Sequence, residues 1–530
     1  MENKSRKPVN RLAPYLILIF FILYYTAYIY NSSFICVDGK RYFCLFDDAM
    51  ISMRYAYNLS NGDGLVWNVN GERVEGFTNL LWTLYMAVVS LLFDKSDACQ
   101  FVQLTGIIFI VASSLICGKI YEYIFQKNYN ELASLFIITS VLSCYPLVFW
   151  TLMGMEVGLL SMLLYLSILF TLKDDFKKFN HCLTISFIFM LLTRPDALIP
   201  VGVILLYRLW HSVKLNNKFV IYEMLAIGTV VLGVIVVRQI YYGEMFPNTY
   251  TLKVEGMPLE ERIRNGIGYL IEDGFIKHIS IIFLLSIIHI SSEFSKEKFL
   301  LILLFLSGVF YQIWVGGDAF SYWRMLIPFV PLLFILCIEG IFFLSGHCMI
   351  LLKKSIKTAG FLYPGIPIVL CMLIIIYFNL PFGNDIISLR DTRIIGFTNK
   401  INVNRAIILN KYLKPDASIA VFYAGAIPYY TNFHAIDILG KSDKHVARLE
   451  PDLSGACAAK GMNSQPGHNK YDLNYSIIHK KPTYIESYSW GRQNIYDYAS
   501  DNYYRYSIYN VPIPIFLRKD SPDVRWELLR

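Results

Sequence analysis

Eleven apolar runs leave this chain few folds to choose from. They lie near residues 12–30, 77–93, 100–125, 131–150, 156–172, 181–209, 220–240, 276–290, 299–315, 325–345 and 359–379. A helix needs about 20 apolar residues to cross a bilayer, and inside the hydrocarbon every backbone polar group must find its partner within the protein. Composition agrees: 55% of the 530 residues are hydrophobic and only 17% are charged, against about a quarter in soluble domains. The expected fold class is a polytopic α-helical membrane protein. The net charge of +8 is not a nucleic-acid signal, because Lys and Arg are dispersed among loops, where they set orientation.

Lys4, Arg6, Lys7 and Arg11 place the N-terminus in the cytoplasm. No small-residue cleavage site follows the first run, which reads as an uncleaved membrane helix. The basic segments 173–178, 208–218, 296–298 and 353–357 should also be cytoplasmic. The run 181–209 is too long for one ordinary span and is interrupted by Thr193-Arg194-Pro195-Asp196. Counted as two crossings, it satisfies the charge parity only if another run fails to cross. The preferred solution has 77–93 dip into the outer leaflet and return; the alternative has 181–209 cross once. The preferred solution makes about eleven crossings and sets Asp47, Asp48, Glu156, Arg194, Asp196 and Asp318 on the outer side.

After Asn379 the composition turns polar. The expected division is a transmembrane domain, 1–380, with a first external loop at 31–77, and an extracytoplasmic soluble α/β domain, 381–530. In the latter, 404–413 has helical spacing, and 418–425, 434–440 and 482–488 read as short strands. Cys36 and Cys44 flank a short loop in the same compartment, where a disulfide and two free thiols are both open readings.

Ionisable residues beside a bilayer are functional candidates, because charge there is costly without a partner or water. The densest region is DDAMISMRYAYNLSNGDGLVWNVNGERVEGFTNLLW (47–82), which opens on Asp47 and Asp48. Ile51, Tyr55 and Leu59 follow a helical repeat, so 48–60 reads as an amphipathic helix lying at the membrane interface. Arg54, Glu75 and Asn79 belong to the same region. Further along, Glu156 opens an apolar helix, Arg194 and Asp196 interrupt one, Lys253 ends an aromatic loop, and Asp318 and Arg324 follow Gly316-Gly317. Each has a bland reading: a solvated loop for 47–82, a carboxylate at a helix N-terminus for Glu156, an intramembrane ion pair for Arg194–Asp196, and an ordinary turn for Gly316-Gly317. Together, five outer segments supply a carboxylate to take a hydroxyl proton and cations for a phosphate. That set suits glycosyl transfer from a lipid phosphate, and equally a proton-coupled transporter. Clustered His ligands are lacking, so no metal or other cofactor is indicated.

Several stretches carry a resemblance that separates these readings. An Asp pair ending the first helix, followed by a long external loop, resembles the GT-C glycosyltransferases. More narrowly, DDAMISMRYAYNLSNGDGLVWN, GERVEGFTNLLW, GMEVGLL, RPDAL, YYGEMFPNTYTLK and VGGDAFSYWRMLIPFVP resemble the family of the mycobacterial terminal β-(1→2)-arabinofuranosyltransferase and its bacterial relatives. In the tail, AGAIPYYTNFHAIDILGKSDKHVAR (424–448) and PGHNKYD (466–472) are similar to that family's extracytoplasmic domain. The blocks run from about residue 45 to 490. One departure stands at Asp318, which is followed by Ala319 and then Phe320 where the family pattern has an aromatic directly after the Asp.

The resemblance implies a GT-C-like fold in the bacterial cytoplasmic membrane, a polyprenyl-phosphate sugar donor and a cell-envelope glycan acceptor. Catalysis would be extracytoplasmic, with Asp47 or Asp48 as base or acceptor-orienting residue. Arg194, Arg324, Lys253 and Arg54 are the candidates for the donor phosphate. Glu75, Asn79, Glu156, Asp196 and Asp318 are candidates for substrate contact. In the tail, Asp437, His445 and His468 would grip the glycan, as would Tyr429 and Tyr430 unless they serve domain packing. The competing reading is a transporter or flippase of a polyprenyl-linked glycan, which predicts a polar path through the membrane and inverted repeats; the sequence has no internal repeat. A third reading is a scaffold whose tail binds envelope polymers.

Overall fold

The computed structural model describes residues 12–174, 178–214, 218–353, 365–392, 396–507 and 514–529. The basic residues Lys4, Arg6, Lys7 and Arg11, expected to orient the N-terminus, lie outside the described residues. In chain order, α1 (Ala13–Ser32) leads through a hairpin, β1 (Phe34–Ile35) and β2 (Arg41–Tyr42), into α2 (Asp47–Ser60) and α3 (Leu80–Leu92). Next come α4 (Lys95–Ile124), α5 (Glu131–Leu142), α6 (Tyr145–Leu152), α7 (Val157–Lys173), α8 (His181–Thr193), α9 (Leu198–Lys214) and α10 (Phe219–Tyr242). Two short helices, α11 (Asn248–Lys253) and α12 (Leu259–Glu272), precede α13 (Phe275–Ser292), α14 (Lys296–Val315), α15 (Val330–Lys353) and α16 (Gly365–Asn379).

Among the described residues, seven helices are long and apolar enough to cross a membrane, or eight if the pair α5–α6, bent by 47°, is one span. The helices α7, α8 and α9 are shorter. Each runs between Glu156 or Arg194 at one end of the bundle and a buried ion triad at the other, where Arg208 pairs with Asp174 (2.6 Å) and Glu223 (2.8 Å). Arg208, expected in a basic loop, therefore lies inside α9. The run 181–209 is two helices: Arg194 is extended (φ −154°) and the next residue is Pro195. Proline lacks an N–H and disfavours helical backbone before it, which ends α8 there.

The run 77–93 does not cross. With 13 residues, α3 is about 20 Å long. Both its ends sit at the end of the bundle that carries the C-terminal domain. Asn79 bonds Glu156 and Ser52 at one end, and Lys95, just past the other, bonds the Tyr429 carbonyl.

Apolar helix continues past Asn379 to Ser388, and the sheet domain starts with Gly396–Tyr412. Its five strands are β3 (Ser418–Val421), β4 (His434–Asp437), β5 (Tyr484–Ile485), β6 (Tyr503–Tyr506) and β7 (Ile515–Arg518), in the order β4-β3-β5-β7-β6. β3 is parallel to β4 and β5, whereas β7 is antiparallel to β5 and β6. The three parallel strands thus end on one edge, and that edge docks on α2.

α2 is not an interfacial helix. It is sandwiched: Ala49, Met50 and Met53 belong to the core of the helical bundle, while Ile51 and Tyr55 join Ile419, Val421 and Tyr484 in the core of the sheet domain. Its amphipathic repeat separates two protein faces, not protein from lipid. Cys36 and Cys44 are both buried free thiols.

Candidate active site

Adjacent residues on a helix point about 100° apart, and at the start of α2 this separates the two acids. Asp47 faces the sheet domain. Its carboxylate accepts the backbone N–H groups of Gly425 (3.3 Å) and Ala426 (3.0 Å) in the loop after β3. Burial pushes its pKa up to about 7, against the opposing pull of Lys441. A Cβ on Gly425 would lie 2.1 Å from the Asp47 carbonyl, so only glycine allows this approach. Asp48 faces a cavity of about 560 Å³. One of its oxygens accepts from Arg324 Nη1 at 2.9 Å and the other pairs with Lys441 Nζ. Burial raises its pKa, but Lys441 and then Arg324 outweigh burial and hold the carboxyl far below the usual carboxylate range.

Arg324 is aimed by an irregular loop. Gly316 and Gly317 have φ of 93° and 91°, and Tyr322 and Trp323 are also left-handed, at 67° and 52°. Two bulky residues in that region store of order 1–3 kcal/mol each, so the fold must hold them. Tyr322 donates to Asp385 Oδ2 (3.1 Å), Trp323 Nε1 donates to the Asp273 carbonyl (3.2 Å), and Trp150 Nε1 donates to the Tyr322 carbonyl (2.9 Å). The result sets Arg324 against Asp318 through Nε (3.2 Å) and Nη2 (3.1 Å), with Nη1 left for Asp48.

Lys441 comes from the loop after β4. Asp437 shapes that loop by accepting the N–H groups of Leu439, Gly440 and Ser442. Lys253, at the end of α11, lines the same cavity. Burial, then Arg324, lowers its pKa to about 8, against Asp48 and Asp318. Alone among these cations it has no hydrogen bond or ion pair within the described residues. Two acids, Asp48 and Asp318, therefore face three cations, Arg324, Lys441 and Lys253. These five groups sum to a formal charge of +1, with Lys253 the cation left unmatched.

A second network borders the first. Glu156 accepts from Arg194 (2.6 Å) and Asn79 (2.9 Å), and Arg194 also holds Asp196 at 2.9 and 3.0 Å. Asn79 in turn accepts from Ser52 (2.9 Å) and Thr83 (3.0 Å). Glu75 pairs with Arg238 of α10, which ties the first loop to the bundle. Beyond these charges the cavity continues as an apolar arm between α8, α9, α10 and α14, lined by Leu191, Leu198, Val230, Val234, Tyr311 and Val315.

The cavity lining gathers Asp48, Asn79, Glu156, Arg194, Asp196, Lys253, Asp318 and Arg324. Other expected site residues do different work. Asp47 joins the two domains. Arg54 is 1% exposed, and its guanidinium is filled by the carbonyls of Trp67, Pro428 and Phe433 and the side chain of Asn432. Four of its five N–H donors are used in this way and it does not line the cavity, so it is not placed to meet a phosphate there. Asp437 is occupied by its loop. His445 is half-exposed, 3.6 Å from Asp472, with its ring tilted against that of Tyr475 at 4.2 Å. His468 lies near the cluster, its ring 6.2 Å from that of Phe320, and burial lowers its pKa to about 4, so it is neutral. Tyr429 and Tyr430 donate to the carbonyls of Lys95 and Phe43 and serve packing. Lys441 and Arg238 escaped the sequence reading. Arg238 is a lone cation inside an apolar run, which is itself a signal. Lys441 could be found only by knowing that β4 is parallel and that its loop reaches the membrane domain. Among the described residues, no group of three His, Cys, Asp or Glu is placed to hold a metal ion.

Residues 394–512 match the family described as Domain of unknown function (DUF8728). No curated protein matches the chain. Two crystal structures of ArnT from Cupriavidus metallidurans resemble it along almost its whole length. The apo state has a TM-score of 0.57 at 11% identity, covering 95% of this chain and 98% of that one. The structure bound to undecaprenyl phosphate has a TM-score of 0.59 at 10% identity, covering 96% and 98%. At that identity the likeness is one of fold: the chain has the polytopic GT-C-like membrane architecture with a C-terminal sheet domain that its sequence led us to expect.

Proposed function

We propose that this protein is a membrane glycosyltransferase that moves a sugar from a polyprenyl-phosphate donor to a cell-envelope glycan on the extracytoplasmic side. The observation that carries this reading is the cavity's two-part chemistry. At its polar end Asp48 and Asp318 pair with Arg324 and Lys441, Glu156 and Asp196 pair with Arg194, and Lys253 is left without an ion pair among the described residues; its other arm is apolar and lies between α8, α9, α10 and α14. A polyprenyl-phosphate sugar has the matching parts, a long isoprenoid chain and a phosphodiester with a single negative charge. The likeness to an ArnT structure bound to undecaprenyl phosphate supports the same donor class.

In the proposed reaction the isoprenoid lies in the apolar arm and the phosphate meets Lys253 and Arg324. The acceptor hydroxyl attacks C1 of the sugar, the C1–oxygen bond to phosphate breaks, and its electron pair leaves with the polyprenyl phosphate. The hydroxyl proton passes to Asp48. Fixed cations where the phosphate gains its second charge supply the electrostatic stabilisation. In the resting protein Asp48 is a weak base because Lys441 and Arg324 hold it. A phosphate that competes for those cations raises its basicity, so donor binding switches the base on. The sugar to test first is a pentofuranose, on the strength of the first-loop resemblance.

The test is purified protein in detergent with labelled polyprenyl-phosphate pentofuranose and hexose donors and a cell-envelope glycan. Labelled glycan from wild type but not from Asp48→Asn supports the reading. Movement of intact lipid-linked glycan across proteoliposomes, with no donor cleaved, would replace it with the transporter.

A further inference from the structure

In open sheets ligands bind beyond the carboxyl ends of parallel strands. Two of the three such loops here are already accounted for: the one after β3 caps Asp47 and the one after β4 delivers Lys441. The third, after β5, begins at Glu486 and carries Trp490. Glu486 is buried, and its Oε2 accepts the N–H groups of both Phe422 (2.8 Å) and Tyr423 (3.1 Å), while Arg405 holds its other oxygen at 2.8 Å. This locks the β3 and β5 loops side by side. Trp490 leans on the edges of Phe422 (5.0 Å) and Tyr471 (5.3 Å). It nevertheless stays 40% exposed, and Tyr423 stays 41% exposed.

Two strands of chain lead from this aromatic shelf to the charged cluster. Tyr423 stands two residues before Gly425, which bonds Asp47. Tyr471 stands three residues after His468, which packs near Phe320 beside Arg324 and Lys441. The shelf therefore belongs to the same strand-end edge of the sheet that supplies the Asp47 cap and Lys441, and it does not itself line the cavity. Its rim carries hydroxyls, with Ser487 and Ser489 bonded to each other at 3.1 Å. Rigid aromatic rings with hydroxyls at their rim match a sugar chain, which offers C–H faces to rings and hydroxyls to polar groups.

We infer that Trp490 and Tyr423 form a subsite for the acceptor glycan, several sugar units away from the reacting hydroxyl. This rests on the proposed glycosyl transfer for its purpose, but its test needs no turnover. Full-length protein in detergent is titrated with short neutral oligosaccharides from arabinan, galactan, mannan and dextran, and binding is read by saturation-transfer NMR. The expected result is binding of at least one of them, weakened about tenfold (~1.4 kcal/mol) by Trp490→Ala and by Tyr423→Ala, and largely kept by Trp490→Phe. Both alanine variants should melt at the wild-type temperature. In transfer assays Trp490→Ala should raise KM for the glycan and leave donor cleavage by water unchanged. If wild type binds none of the probes, or if both alanine variants bind as wild type does, the subsite is overturned. Loss of sedimentation with phosphatidylglycerol vesicles in Trp490→Ala, without oligosaccharide binding, would overturn it in favour of a membrane contact. A protein that binds glycan but cleaves no donor would refute the transfer reaction and leave the subsite standing.

Discussion

Arg324 grips Asp318 with one edge of its guanidinium and reaches Asp48, 276 residues away in sequence, with its remaining nitrogen at 2.9 Å. Lys441 closes on the same carboxylate from the sheet domain. The base proposed for the reaction is thus held by one cation from each domain. Separating the domains would remove Lys441 and leave Arg324 to both acids.

The two neighbouring acids should separate in mutagenesis. Asp48→Asn keeps the shape but cannot take a proton, and transfer by the folded fraction should fall by at least about 10²-fold, with a lowered melting temperature because Arg324 and Lys441 lose a buried partner. Asp47→Ala should leave transfer by the folded fraction near normal. It strands the N–H groups of Gly425 and Ala426, which costs about 1–2 kcal/mol, and loosens the sheet domain. Limited proteolysis between the domains and kcat on the folded fraction would check both. A catalytic collapse in Asp47→Asn with a normal melting temperature would reverse the assignment.

Lys253 predicts a pH dependence. Its pKa is lowered to about 8 from an ordinary 10.5, so between those values the unfolded chain binds more protons than the folded one. This group's contribution to stability therefore rises with pH across that window. Donor binding runs the opposite way. An anion pairs only with the ammonium, so affinity is full below about pH 8 and falls as pH rises past it, by at most tenfold per unit. Titrating donor affinity from pH 6 to 10 (~ one-unit steps suffice for such a slope) should show this limb in wild type. It should be absent in Lys253→Met, whose affinity is lower at neutral pH.

Arg54 provides a control for the phosphate-binding assignment. Its four hydrogen-bond partners join α2 to the first loop and to the sheet domain. Arg54→Leu strands buried carbonyls and should cost about 3 kcal/mol or more in stability. KM for the donor should stay unchanged in whatever folds. An increase in that KM without a loss of stability would return Arg54 to the phosphate site.

The periodicity of apolar residues was enough to foresee the helical bundle, because a bilayer admits so few solutions. The break at Arg194-Pro195 was legible for a related reason, since proline cannot continue α8; at 77–93 the expected dip and return is instead a single short helix, α3. The cavity residues were legible as costly charges beside apolar runs. What escaped was partnership. Arg54 and Arg324 look alike in sequence, yet one is consumed by carbonyls and the other is offered to the cavity. Asp47 and Asp48 were inseparable until the sheet domain was seen to dock on one side of α2. The same docking explains why α2 was misread as interfacial, since an apolar stripe does not say whether its second face meets lipid headgroups or a folded domain.

The apolar arm yields a prediction that distinguishes lipid recognition from phosphate recognition. Val234 lines the arm from α10, as Leu191 of α8 and Tyr311 of α14 do from theirs, and is itself apolar. Val234→Trp narrows the arm and leaves every charged residue in place. If an isoprenoid lies there, KM for a long-chain donor should rise about tenfold or more, as expected when roughly 1.4 kcal/mol or more of burial is lost. A donor truncated to a single isoprene unit should be used as well by the variant as by wild type, because its phosphate and sugar reach only the polar end. The pair of donors makes the outcome decisive: equal losses with both would mean that the substitution distorts the site and that the arm does not hold the lipid.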